Sequence, residues 1–237
     1  MRLQKRSLVT GFLLSGLIGT MPALIQAADS PAGQPSTEKP KLTFIPPKLG
    51  APAVRVGGAS RGMGGPKLWV LAPLEAGWSA TDQPVLYWYL GEGKPLRVEL
   101  TLTTPDTVNP ILEVELKGTK AGINTIDLAK QGVRLKPEVT YQWHVALVPD
   151  PDRRSNDVVS GGVIQYIPPN NDLKGKLKGD AAQTAGRYAE AGYWYDALHS
   201  LGRGLEAKPA DRGLREMRAS LLEQGRLAEV AAAERKL

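Results

Sequence analysis

The sequence predicts a mainly β protein with an α tail: an antiparallel, immunoglobulin-like β-sandwich, then a short tetratricopeptide-like helical region. Three observations predict it. From Lys67 to Ile167 apolar residues recur at every second position. From Asp180 onward they recur at helical spacing. A Pro/Gly-rich stretch, 28–66, sets both regions apart from an apolar N-terminal segment. A period of two belongs to strands with one buried face, and a period of 3.6 to helices lying on a core.

The elements follow in order. Arg2, Lys5 and Arg6 form a positive start, Leu8 to Met21 an apolar run, and Ala27 a small residue at a cleavage point before Ala28. That is the architecture of a secretory signal peptide. Residues 1–27 are expected to be removed and the rest exported, to a bacterial periplasm or beyond. An uncleaved anchor is the alternative, although the run falls short of the roughly 20 residues a membrane helix takes. No later segment is long and apolar enough to span. The chain has no cysteine, which excludes an N-terminal lipid anchor, disulfides, thiolate metal sites and thiol catalysis. Without residues 1–27 there are 27 basic and 24 acidic residues, a net +3. So mild an excess does not indicate nucleic-acid binding.

Residues 28–66 read as a tether, because proline, glycine and serine bury little apolar area against chain entropy. The island Leu42–Ile45 is expected to pack on the domain or add an edge strand. The glycines from Gly57 to Gly65 do not form a phosphate loop: no strand precedes them and no Gly-Lys-Ser/Thr closes them.

The sandwich is expected over 67–168. "LRVELTL" places Leu96, Val98, Leu100 and Leu102 on one face. "LEVEL" does so with Leu112, Val114 and Leu116, and "YQWHVAL" with Tyr141, Trp143, Val145 and Leu147. Further strands are expected at Leu68–Leu71, Val85–Leu90, Ile123–Leu128 and Val158–Ile167. Gly91-Glu92-Gly93, Pro105-Asp106, Gly118, Gly122 and Pro137 punctuate them. About seven short strands without an intervening helix fit a sandwich. The Cys…Trp…Cys frame of true immunoglobulin domains is absent.

A polar linker, 169–180, leads to helical hairpins over 181–237. Asp180 is an N-cap residue. Helix A, to about Ala191, carries Ala181, Ala185, Tyr188 and Ala189 on one side. Gly192 makes a turn. Helix B, about Tyr193 to Ala207, carries Ala197, Leu198, Leu201 and Leu205. Helix C follows Asp211 with Leu214, Met217 and Leu221, and a last helix carries Leu227, Val230 and Ala231. Tyr188, Ala197, Leu201 and Pro209 fall at tetratricopeptide offsets. "GYWYDAL" at Gly192 returns loosely as "GRLAEVA" at Gly225, 33 residues on. One unit and part of a second cannot bury their own apolar faces, so this end is expected to lean on the sandwich or on a partner.

The order "RG…LWVLAP…PVLYWYL…VTYQWHVALVPDPDRRSNDVVSGGVIQYI…YAEAGYWYDALHSL" resembles the bacterial domain-of-unknown-function family 928, over roughly Ile45 to Leu205. The aromatic strand Val85–Leu90, the Asp-Pro-x-x-Arg-Ser loop and the Trp-Tyr-Asp-Ala helix carry the likeness. Where that family often has cysteines, this chain has Met63 and Pro149. The resemblance implies an exported protein and supplies no mechanism.

Enzyme chemistry is poorly supported. There are two histidines, His144 on the outward side of its strand and His199 beside a helix's packed face. Zinc wants three or four His, Cys or carboxylate ligands. No Gly-x-Ser-x-Gly or His-Glu-x-x-His appears. In "DPDRRSND", Asp150, Asp152 and Asp157 resemble a calcium loop, but Arg154, Ser155 and Gly161 stand where an EF-hand needs a carboxylate, Gly and Glu. Asp-Pro and Ser-Asn-Asp are turn formers, so a structural turn is the first reading and a partner-contacting loop the second. The expectation is a non-enzymatic interaction or scaffold module of the bacterial envelope, without metal or cofactor. Its candidate contacts are Asp150, Asp152, Arg153, Arg154, Ser155, Trp88, Tyr193 and Trp194. Its partner is expected to be another envelope protein. The alternative is a module that binds polysaccharide or peptidoglycan through exposed rings.

Overall fold

A computed structural model describes residues 42–48, 67–93, 96–105 and 107–237, all within the unit Glu38–Leu237. Residues 1–27, expected as a signal segment, and most of the expected tether, 28–66, Met63 included, lie outside the described residues. Among the described residues, no helix is long and apolar enough to cross a membrane.

Among the described residues eight strands come first: β1 (Leu68–Val70), β2 (Gly77–Ser79), β3 (Val85–Leu90), β4 (Arg97–Thr103), β5 (Leu112–Glu115), β6 (Gly122–Asp127), β7 (Thr140–Val148) and β8 (Val158–Tyr166). They form two sheets, ordered β1-β3-β6 and β2-β8-β7-β4-β5. Alternation decides which side chains enter the shared core. Val98, Leu100 and Leu102 of β4 are buried, as are Tyr141, Trp143, Val145 and Leu147 of β7. Leu86 and Trp88 of β3 meet them from the smaller sheet. The two sheets touch through Val70, whose N–H donates to Ser160 Oγ at 2.9 Å. A Cβ on Gly162 would overlap Ala72.

Two departures from the sequence expectation are instructive. The larger sheet is not wholly antiparallel, because β2 pairs with β8 in parallel, Gly77 opposite Ile164. β1 and β2 belong to different sheets, so no hairpin constrains their directions. The three residues of β2 are also too few to show a period. The second departure lies in the linker, which contains α1 (Asn171–Lys176). Asn170 caps it by accepting the Leu173 N–H at 2.8 Å, and Leu173 is its one buried residue.

Four helices complete the chain: α2 (Ala181–Glu190), α3 (Trp194–Ala207), α4 (Arg212–Gln224) and α5 (Ala228–Glu234). Asp180 and Gln183 form a full capping box at the start of α2. Asp211 caps α4 through the Leu214 N–H at 3.0 Å. Gly192, at φ +85°, reverses the chain between α2 and α3 in a conformation costly for other residues. The apolar faces of α3 and α4 join the same core as the strands. Leu42–Lys48 forms no strand. It lies along the helices, with Phe44 edge-on to Trp194 at 4.9 Å. Gln224 clamps it, accepting from Phe44 N at 2.7 Å and donating to Leu42 O at 2.9 Å.

Candidate functional site

The loop between β7 and β8 is held chiefly by its own residues. Asp150 Oδ1 accepts the Asp152 N–H at 3.0 Å, and its carbonyl accepts the Arg153 N–H at 3.0 Å. Arg153 Nε stands 3.7 Å from Asp150 Oδ2. Arg154–Asn156 makes a single 3-10 turn containing Ser155. Arg154 then folds the loop back onto β4, donating to Glu99 Oε2 at 2.6 Å and to Asp157 Oδ2 at 2.7 Å. Arg154, with Arg97 behind it, holds the Glu99 carboxyl below the usual carboxylate range. Asp150 and Asp157 are thus engaged with the loop itself, while Asp152, Arg153 and Ser155 are exposed. Among the described residues, no group of three His, Asp or Glu side chains is placed to hold a metal ion.

The aromatic residues are placed otherwise than exposed rings would be. Trp88 is 2% exposed, Tyr193 5% and Trp194 0%, so none presents a face to a ligand. Trp88 points into the space between the sheets, while Tyr87 and Tyr89 point toward the opposite face of β3. Trp194 donates its indole N–H to Leu71 O at 2.7 Å. Tyr195 accepts from Trp143 Nε1 at 3.0 Å and donates to Val163 O at 2.9 Å. A Cβ on Gly77 would sit 2.9 Å from Trp194 Cβ, and one on Gly225 would overlap the Trp194 ring. The trio 193–195 is therefore the joint between helices and sheets. Rings this large contribute through buried area and donors that find acceptors.

The histidines do not assemble a catalytic pair. His144 packs over Gly161, opposite it on β8. His199 Nδ1 shares a hydrogen bond of 2.8 Å with the Tyr87 hydroxyl. Burial pushes Tyr87 up and both histidines down, so all three are neutral near pH 7 and the Tyr87–His199 pair acts as a strut.

What the structure adds is a cleft of about 920 Å³ between the edge of the smaller sheet and the C-terminal helices. One wall is β6 with the turn Leu116–Ala121. The other is Gly202, Leu205 and Glu206 of α3, Arg215 and Arg218 of α4, and Glu234 of α5. β6 is an edge strand. Leu128 donates to Pro84 at 3.1 Å, so the backbone groups of Ile126, Asn124 and Gly122 face β3 and those of Ile123, Thr125 and Asp127 face outward. Across the cleft, Glu234 Oε1 accepts from Arg218 Nη2 at 2.6 Å and from Arg215 Nη1 at 3.4 Å. Glu234 is 1% exposed, Arg218 11% and Arg215 18%. Two largely buried cations thus share one anion, and Arg218 Nε has no acceptor among the described residues. A second acid, the half-buried Asp196 on α3, accepts the Ala80 N–H at 2.7 Å. Desolvation pushes its carboxyl up to about 7.

Sequence reasoning missed this cleft. Arg215 and Arg218 are three apart and share a helix face, which was legible. Their convergence on Glu234, from another helix, was not.

Fold and cleft together define a mainly β protein with a helical C-terminal region and a groove at their junction. The family model for Domain of Unknown Function (DUF928) matches residues 56–235, and the chain belongs to that family. No curated protein matches it.

Proposed function

We propose that this protein is a non-enzymatic interaction module of the cell envelope, built as an immunoglobulin-like sandwich with a tetratricopeptide-like tail. The observation that carries the reading is the cleft beside β6. It is open, about 920 Å³ in volume, and bordered by an edge strand whose outward backbone groups are available for pairing. The signal-like segment 1–27 supports export. The repeat-like tail is supported by the close approach at Gly204, where a Cβ would lie 2.7 Å from Ala181 Cβ. The partner is another envelope protein.

A photo-crosslinking residue at Thr125 tests this in cells. The expected result is a discrete protein adduct from Thr125 and none from Thr101, on the outer face of β4. The reading fails if Thr125 yields no adduct and the protein sediments with peptidoglycan instead. That outcome would favour the polysaccharide reading, which would then rest on Trp78. Its half-buried ring lines a smaller cleft of about 310 Å³ with Tyr193, and its indole N–H lacks a protein acceptor.

A further inference from the structure

The cluster Arg215–Arg218–Glu234 is electrostatically incomplete. Its two guanidinium groups meet one carboxylate, and they meet it through one oxygen, Glu234 Oε1. The remaining contact of Arg215 is a neutral carbonyl, Pro209 O at 2.5 Å. Glu206, the other acid on this wall, is engaged by Arg203 at 3.0 Å. Arg235 draws Glu216 and Glu223 to itself. A net positive charge therefore stands on side chains only 11–18% exposed in the wall of the cleft, where incomplete pairing is costly. Arginine presents its donors as a planar fork matched to a carboxylate. Arg218 keeps one donor in reserve, because its buried Nε has no acceptor among the described residues.

The opposite wall says what kind of molecule brings the carboxylate. β6 pairs with β3 from Gly122 to Asp127, and its outer edge presents the N–H and C=O groups of Ile123 and Thr125. An extended chain beside it would lie about 4.8 Å away and alternate its side chains across the sheet. The residue opposite Thr125 would project to the side of Tyr87, since Thr125 and Tyr87 are paired. That is the side of the sheet covered by α3, where Gly202 meets the Tyr87 hydroxyl. Lys117, Lys120 and Lys130 line the same cleft beside Glu115 and Asp127; Glu115 is drawn to Arg97 at 3.4 Å, so the balance on this wall favours an acidic partner.

We propose that the cleft binds an extended acidic polypeptide segment, which adds a strand to β6 and places one carboxylate on the Arg215–Arg218 pair. This rests on the interaction-module reading and names the chemistry of its partner. The carboxylate completes a two-to-two cluster, and the added strand satisfies the open edge.

Selection of a displayed library of random decapeptides on the full chain tests it. The enriched peptides are expected to share one Asp or Glu within an alternating apolar pattern. Replacing that acid by its amide should weaken binding at least tenfold on the parent protein, a comparison no misfolded variant can confuse. On Arg218→Gln the acid and amide peptides should bind alike. Thr125→Pro, at the open edge, should abolish binding of both; circular dichroism shows whether that variant is folded. Enriched peptides that bind acid and amide forms equally would overturn the carboxylate assignment and leave the interaction module standing. Enriched peptides whose binding survives in a folded Thr125→Pro variant would overturn strand addition. A selection that enriches no peptide would remove both the inference and the module reading at this cleft.

Discussion

Asp196 gives the stability of this protein a particular dependence on pH. Its carboxylate sits in the first turn of α3, half-buried between helix and β2, and accepts the Ala80 N–H at 2.7 Å. Burial raises its pKa from 3.8 to about 7. A raised carboxyl favours the folded state fully below its unfolded pKa, and that contribution is lost as pH rises through the folded one. The window is therefore about pH 4 to 7. A displacement of about three units corresponds to about 4 kcal/mol at 1.36 kcal/mol per unit, and part-contact with solvent reduces this to about 2 kcal/mol. Asp196→Asn keeps an oxygen for the Ala80 N–H and cannot ionise. The parent is expected to match or exceed the variant near pH 4. By pH 8 the variant should have gained about 2 kcal/mol relative to it, roughly 4–8 °C in Tm for a chain of this size. Thermal melts of both proteins at half-unit pH steps measure the difference, and other carboxylates cancel in it. A difference that stays flat from pH 4 to 8 would refute the argument that desolvation governs this group.

Other outcomes follow from packing and charge. Trp88→Ala, in the inter-sheet core, should cost about 3–5 kcal/mol in urea unfolding; a smaller loss would show that the ring is not a core residue. Gly225→Ala forces a methyl group against the Trp194 ring and should destabilise by about 1–3 kcal/mol. Tyr87→Phe leaves His199 Nδ1 without its partner and should cost about 1 kcal/mol. Arg154→Gln releases the β7–β8 loop from Glu99, so Tm should fall slightly in low salt and converge with the parent in 1 M salt. The same variant should leave crosslinking from Thr125 intact.

The strands were legible wherever a strand buries one face. β3 spans the expected Val85–Leu90, and β4 and β7 bury the residues their alternation indicates. The helices were legible for the same reason, with Asp180 as the start signal for α2. β2 was not, because three residues carry no period and its place is set by a partner far along the chain, β8. The short helix α1 was hidden by its polarity, for one buried leucine makes no stripe. Among the candidate contacts, the Asp150–Asp157 loop showed its turn chemistry in its residues. For Trp88, Tyr193 and Trp194 the sequence left two readings open, packing between helices and sandwich or an exposed recognition patch, since an aromatic run reads alike whether solvent or another element covers it.

The sequence by itself determined the periods, the caps and turns, the absence of thiol chemistry and the family likeness, all of which depend on residues close in the chain. Only the tertiary structure decided what lies opposite what. It enclosed Trp194 among Phe44, Leu71 and Gly225, and it left the outer edge of β6 facing Arg215 and Arg218. It also set two cations from α4 on one acid from α5. Those outcomes depend on long-range packing and on the desolvation it imposes, which local residue order does not encode.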